Sequence, residues 1–179
     1  SLKKEYGFCV PSMQSIWYGR QEKIFHSPED REALTEYTKK AIDFAAAIGC
    51  GNLVFGCPRN RNIEGEYDPD VATDFFRTIG DYAASRGTTI GMEANPPIYN
   101  TNFINDTVSA IELIEQVGSD GFKLNLDLGT VIQNRENLSE LIGKVSIINH
   151  VHISEPGLKP VEERKLHSEL RDILVKENY

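Results

Sequence analysis

Asn105-Asp106-Thr107-Val108-Ser109-Ala110-Ile111-Glu112-Leu113-Ile114-Glu115-Gln116-Val117-Gly118-Ser119-Asp120-Gly121-Phe122-Lys123-Leu124-Asn125-Leu126-Asp127 contains one full cycle of the fold. Asn105-Asp106-Thr107 is a helix start, because short polar side chains accept hydrogen bonds from the free N–H groups of a first turn. Val108, Ile111, Leu113, Ile114 and Val117 recur at three-and-four spacing and give that helix one apolar face. Gly118 supplies the stop. Phe122 to Leu126 then reads as a strand, and it ends on an acid, Asp127. Helix followed by strand is the repeating element of a parallel sheet with helical crossovers.

The same cycle runs in both directions from this stretch. Upstream, Phe8-Cys9-Val10 opens a strand-like run continuing to Trp17, and Ser27-Pro28-Glu29-Asp30 starts a helix with an N-cap serine and proline at its first position. Leu34, Tyr37, Ala41, Ile42, Ala45 and Ile48 form its apolar face, and Gly49 ends it. Asn52 to Phe55 is a strand running into the polar loop Gly56 to Asn62. Asp68-Pro69 starts a helix through Phe75, Phe76, Ile79, Tyr82 and Ala83 to Gly87, and Thr88 to Met92 is a strand ending at Glu93. Downstream, Leu138, Leu141 and Ile142 mark a short helix, Val145 to Ile153 a strand with His150 and His152, and Pro160 to Lys176 a last helix. That makes five strand–helix units at about 36 residues each over 179 residues, the pace of a (β/α)8 barrel. A doubly wound sheet alternates in the same way, but no G-x-G-x-x-G follows a strand. Residues 1–179 are expected to form one domain, with no linker or low-complexity segment.

Composition sets the outer limits. Hydrophobic residues make up 40% and charged residues 26%, which suits a packed core and excludes a disordered chain. A net charge of −8 argues against wrapping nucleic acid. No apolar run approaches the roughly 18 residues of a membrane helix, and no signal peptide is apparent at Ser1 to Glu5. Cys9, Cys50 and Cys57, an odd number without C-x-x-C spacing, suggest small core residues in a reduced, cytoplasmic compartment. Ser1 in place of Met suggests that the chain begins at a boundary or after processing.

Polar and ionisable residues gather at successive strand ends: Gln14 and Trp17, then Arg59, Asn60, Arg61 and Asn62, then Glu93 and Asn95, then Asp127, then His152 and Glu155. In a barrel these ends converge on one mouth. Glu93, Asp127 and His152 at three consecutive ends form a hard-donor set for Mn²⁺, Mg²⁺, Co²⁺ or Zn²⁺, and ligand type does not choose among these ions. Each residue also has a structural reading. Glu93 fits an exposed strand-end charge, Asp127 a cap on the following turn, and Trp17 and Tyr18 core positions. His150 and His152, two apart on a strand, point the same way. We take His152 as the ligand and His150 as its core partner, with His26 and His167 as surface or capping residues. Arg59 and Arg61 fit solvated loop charges or, with the two asparagines, a clamp for a phosphate or carboxylate.

Ser12 to Gly19, Val54 to Arg61, Glu93-Ala94-Asn95-Pro96, Asn125 to Thr130 and His150 to Pro156 together resemble the sugar phosphate isomerase/epimerase group. These are xylose-isomerase-like TIM barrels, relatives of ketose 3-epimerases and of the apurinic endonuclease IV class. The resemblance implies a partial barrel: strands three to seven, lacking the first two strands and the last, out of a fold of about 250 residues. It implies Glu93, Asp127 and His152 as metal ligands, and Glu93 as one catalytic acid/base working through an enediolate. A second such Glu would lie on the eighth strand. It also implies a small sugar or sugar-phosphate substrate, for which Gln14, Trp17, Arg59, Asn60, Asn95, Glu155 and Lys159 are the candidate contacts. Thr130 stands where the epimerases carry His, and Leu158 where they carry Arg. The endonuclease branch needs a histidine-rich three-metal site, and Cys57 and Thr130 occupy two of its histidine places. An abasic-site hydrolase is therefore the weaker reading. A further alternative is an inactive fragment, or a structural protein associating with copies of itself through open sheet edges.

Overall fold

The computed structural model describes residues 5–179. Four strands, β1 (Leu53–Phe55), β2 (Ile90–Met92), β3 (Phe122–Asp127) and β4 (Ile148–His152), form one parallel sheet in the order of the chain. Five α-helices are found among the described residues: α1 (Pro28–Ile48), α2 (Pro69–Ser85), α3 (Thr107–Val117), α4 (Leu128–Asn134) and α5 (Lys165–Lys176). Parallel neighbours joined by helices, with sequence order equal to spatial order, are the wiring of a (β/α)8 barrel, here in part.

Helix starts follow their caps. Ser27 Oγ accepts from Asp30 N–H, Asp68 from Asp70 N–H, and Asp106 from Ser109 N–H. α1 and α3 end at Gly49 and Gly118, both left-handed. The buried stripe of α1 is Leu34, Thr38, Ile42 and Ala45, so Tyr37 turns partly outward and Thr38 inward. α2 packs on β2 and β3, and α3 on β3. Between sheet and helices lies an aromatic cluster in which Phe76 stacks on Phe122 with centroids 4.8 Å apart and meets Phe55 edge-on at 5.1 Å. Each such pair is worth about 0.5–1.5 kcal/mol beyond its area. The outward side chains of β3, Phe122, Leu124 and Leu126, belong to this core, which leaves Asn125 and Asp127 on the inner face.

Several expectations are corrected. The first of the five strands shrinks to a single parallel bridge, Met13 to Leu53. Pro11 has no N–H to give a ladder, and Ser15 takes a positive φ of 52°, which breaks the extended run. The last helix begins at Lys165 rather than Pro160, because Arg164 is extended and tied to Glu155. α4 is an additional helix, and the expected helix around Leu138 is a 3₁₀ turn, Leu138–Leu141. Cys50 is core, but Cys9 is exposed.

Candidate metal centre at the strand ends

β2, β3 and β4 each run toward the same rim and deliver one donor there. Glu93 follows β2 directly, while Asp127 and His152 close β3 and β4 and are paired across the ladder. One ligand atom from each lies within 4.8 Å of the others. His152 Nδ1 stands 2.9 Å from Glu93 Oε1 and 3.8 Å from Asp127 Oδ2. All three are partly buried at the floor of an open hollow of about 510 Å³.

The supporting contacts are specific. Asp127 Oδ1 accepts from Thr130 N–H at 2.9 Å, so it caps α4, and Ser154 Oγ stands 3.0 Å from both carboxylate oxygens. The capping and cluster readings of Asp127 thus coexist, because the two oxygens face different ways. Glu93 Oε1 accepts from Asn125 Nδ2 at 3.2 Å, and Glu93 Oε2 faces Gly56, where a Cβ would stand only 3.0 Å from it. The hydrogen bond to Glu93 raises the His152 imidazole above its ordinary value of 6.5, against an opposing effect of burial, with the charges of Glu93 and Asp127 adding to the rise. His150 lies further from the rim on the same face, its ring edge-on to His152 at 5.2 Å; it is half-buried and not part of the core expected for it, and burial and the neighbouring imidazole lower its pKa. Burial pushes the Cys57 thiol up to about 11, so at neutral pH it is a thiol at the wall of the hollow.

Of the residues proposed to touch substrate, Gln14 and Asn95 come to this hollow. Gln14 Nε2 lies 3.2 Å from His152 Nε2, and Asn95 Oδ1 is a buried acceptor without a protein partner. Glu155 also lines it, but both its oxygens are held by Arg164 at 2.7 Å. Trp17 is placed in the core: its indole donates to Thr38 Oγ1 at 2.7 Å and its ring meets Phe55 edge-on. Asn60 is buried, donating to the carbonyls of Arg20 and Glu22. Arg59 borders a neighbouring hollow with Tyr18, and Lys159 is exposed outside the lining of the hollow that holds Glu93, Asp127 and His152. Arg61 is no solvated charge. It is 0% exposed and donates to the carbonyls of Glu93 and Ile104, and burial draws its guanidinium down to about 10. His26 is exposed beside Asp30. The reading from sequence passed over Asn125 and Ser154 as site residues. Asn125 carried a signal, since it shares the two-residue period of Asp127 in an otherwise apolar strand.

Two carboxylates and an imidazole at the rim of a parallel α/β barrel form a donor set that could hold a divalent cation. A family model described as xylose isomerase-like TIM barrel matches residues 3–170. The chain belongs to that family. Among curated proteins none matches it. Solved structures similar to it include a 3-keto-D-glucoside 4-epimerase from E. coli, with 19% identity and a TM-score of 0.78 over 99% of this chain and 71% of that one. A D-psicose 3-epimerase crystallised with D-fructose gives 16% identity and 0.77, over 98% of this chain and 63% of that one. An AP endonuclease of family 2 from Brucella melitensis gives 19% and 0.78, over 99% and 71%. At these identities the likeness shows the fold, and the chain spans 63–71% of the length of these three structures. Among the described residues, no helix is long and apolar enough to cross a membrane.

Proposed function

We propose that this chain carries the metal centre of a sugar or sugar-phosphate isomerase or epimerase, with Glu93, Asp127 and His152 as ligands and Glu93 also as a base. The observation that carries the reading is the convergence of those three donors within 4.8 Å at the floor of an open hollow. The set suits Mn²⁺, Mg²⁺, Co²⁺ or Zn²⁺, and the unpartnered Asn95 oxygen beside it offers an acceptor for a sugar hydroxyl. Sugar epimerases among the structural neighbours support a small sugar substrate.

When bound, such a cation supplies Lewis-acid polarisation of a substrate carbonyl. The chain's own residues do the rest. Glu93 Oε1 is held by Asn125 and His152, and Oε2, facing Gly56 in the hollow, takes the proton from the carbon beside the carbonyl. The C–H electron pair then moves onto the carbonyl oxygen. A proton returned to the opposite face of the same carbon by a second acid, the role the family resemblance gives to a further glutamate, leads to the epimer; one returned to the carbonyl carbon, with the proton of the neighbouring hydroxyl passing to the former carbonyl oxygen, leads to the isomer. Gln14 and Asn95 orient the hydroxyls.

The test is deuterium uptake from D₂O at the carbon beside the carbonyl, followed by NMR across ketohexoses, keto-glucosides and their phosphates with each of the four ions. Exchange is expected with one of these substrates, and Glu93→Gln should slow it at least about 10²-fold, the lower end for a positioned base. Metal-dependent cleavage of an abasic duplex without sugar exchange would overturn the reading in favour of a hydrolase. Undiminished exchange in the Glu93→Gln variant would remove Glu93 as the base.

A further inference from the structure

Below the three donors the inner face of the sheet is unusually polar. Asn149 Nδ2 donates to Asn52 Oδ1 at 2.8 Å, Asn52 Nδ2 donates to Asn125 Oδ1 at 3.3 Å, and Asn125 Nδ2 donates to Glu93 Oε1 at 3.2 Å. Asn52 also donates to Ser12 Oγ at 2.9 Å. Asn52 and Asn125 are buried, 2% and 0% exposed. We propose that these three amides are positioning residues: a head-to-tail relay that fixes the Glu93 carboxylate, anchoring Oε1 and leaving Oε2 toward the hollow. The inference rests on Glu93 being a working residue of the centre.

Three features carry it. First, every link points the same way, donor toward Glu93. Turning the Asn125 amide over would set its oxygen against Glu93 Oε1 and its NH₂ against that of Asn52, so each amide locks the orientation of the next. Aligned amides in a buried site also polarise one another. Second, the sheet is deformed to admit the first member. Leu124 pairs with Ile148 but Asn125 pairs with His150, so Asn149 is the extra residue of a β-bulge, and its side chain reaches Asn52 immediately before β1, the other edge strand. Third, β2 leaves room for the relay. A Cβ at Gly91 would lie 2.7 Å from Asn52 Oδ1, closer than real Cβ atoms come, and a tight 3.0 Å from Asn125 Cβ, so a side chain there would press on the relay. Asn125 Nδ2 is also 3.2 Å from His152 Nδ1, so the final amide sits between two of the three donors.

The test uses Asn52→Asp, which keeps the acceptor for Asn149 and the size of the side chain but removes the donor to Asn125. Its atoms touch none of the three ligands. The matched control is Thr38→Val, which leaves the buried Trp17 indole without its acceptor at a distance from the site. Mn²⁺ affinity is read by calorimetry. The wild type should bind, Asn52→Asp should bind about tenfold or more weakly, as for residues that orient a ligand, and Thr38→Val should bind within twofold of wild type despite a lower melting point. In metal-free protein, the Asn125 side-chain NH₂ protons should exchange slowly in the wild type and in Thr38→Val, and quickly in Asn52→Asp. If Asn52→Asp fails to fold, Asn149→Ala removes the first donor from a half-buried position and should move both readouts in the same direction. Unchanged Mn²⁺ affinity, an equal loss in Thr38→Val, or unaltered Asn125 amide exchange each overturns the relay. Should the wild type bind no Mn²⁺, the centre falls and the amide exchange alone decides the relay.

Discussion

Asp127 serves the fold through one oxygen and the candidate centre through the other, so two substitutions at one position separate the roles. Oδ1 accepts from Thr130 N–H at 2.9 Å, and Oδ2 is the oxygen 3.8 Å from His152 Nδ1. Asp127→Asn keeps an oxygen for Thr130, since asparagine caps a helix about as well as aspartate. The amide nitrogen must then take the Oδ2 place, where Ser154 Oγ at 3.0 Å accepts from it. Stability should change by less than about 0.5 kcal/mol, or roughly 1–2 °C at the 2–4 °C per kcal/mol of a chain this size. Mn²⁺ binding should fall by more than the ~10–100-fold that a supporting residue costs, because a charged ligand has become a neutral donor. Asp127→Ala loses the cap, about 1 kcal/mol, and the Ser154 hydrogen bond, about 1 kcal/mol more. It should melt roughly 4–8 °C lower and bind as poorly as Asp127→Asn. Scanning calorimetry and Mn²⁺ titration of both variants check this. If Asp127→Asn melts as low as Asp127→Ala, the division of labour between the oxygens is wrong. If it binds Mn²⁺ like wild type, Asp127 is no ligand.

His152 must lose its proton to bind a cation, and its metal-free value is raised above 6.5 by Glu93. Mn²⁺ affinity should therefore rise about tenfold per pH unit up to that raised value and then level off, with one proton released per ion near pH 6; calorimetry in buffers of different ionisation enthalpy reads the proton. The same contact stabilises the metal-free fold fully below pH 6.5 and is lost as pH climbs through the raised value, so apo melting should move the opposite way. Arg164 holds the Glu155 carboxyl below its ordinary 4.5, so this contribution is present above that pH and vanishes as acid passes the lowered value. Amide exchange in the first turn of α5 should accelerate there, and Arg164→Met should abolish the acid dependence. Thr38→Val strands a buried indole N–H at about 1–3 kcal/mol and should lower melting by roughly 2–12 °C; a melting point at the wild-type level would contradict the core placement of Trp17.

The helices were legible because their starts are local chemistry. Ser27-Pro28, Asp68-Pro69 and Asp106 each cap within three residues of themselves. α4 was not, because Leu128-Gly129-Thr130-Val131 offers glycine and β-branched residues and only two turns, too few for a period. The convergence of Glu93, Asp127 and His152 was legible because strand ends in a parallel sheet share one rim, whatever separates them along the chain. The contacts proposed around them were less so. Whether Trp17, Asn60 or Glu155 faces a ligand depends on partners from 7 to 40 residues away, Thr38, the Arg20 and Glu22 carbonyls, and Arg164 with Glu162 N–H, and nothing at the residue itself announces them. Asn125 was missed for the opposite reason. Its polar side chain was visible, but read as part of a strand rather than as the neighbour of two donors.

Adjacent strands stand about 4.7–4.9 Å apart because main-chain hydrogen bonds demand it, and β3 lies between β2 and β4, yet His152 Nδ1 comes within 2.9 Å of Glu93 Oε1. The backbone sets evenly spaced posts, and the size of a guest ion is decided by how far each side chain leans in from them. Lengthening one post by a methylene, as in Asp127→Glu, would overshoot the gauge without disturbing a single ladder bond. Tuning this rim to a smaller or larger ion is a matter of side-chain reach and leaves the barrel wall untouched.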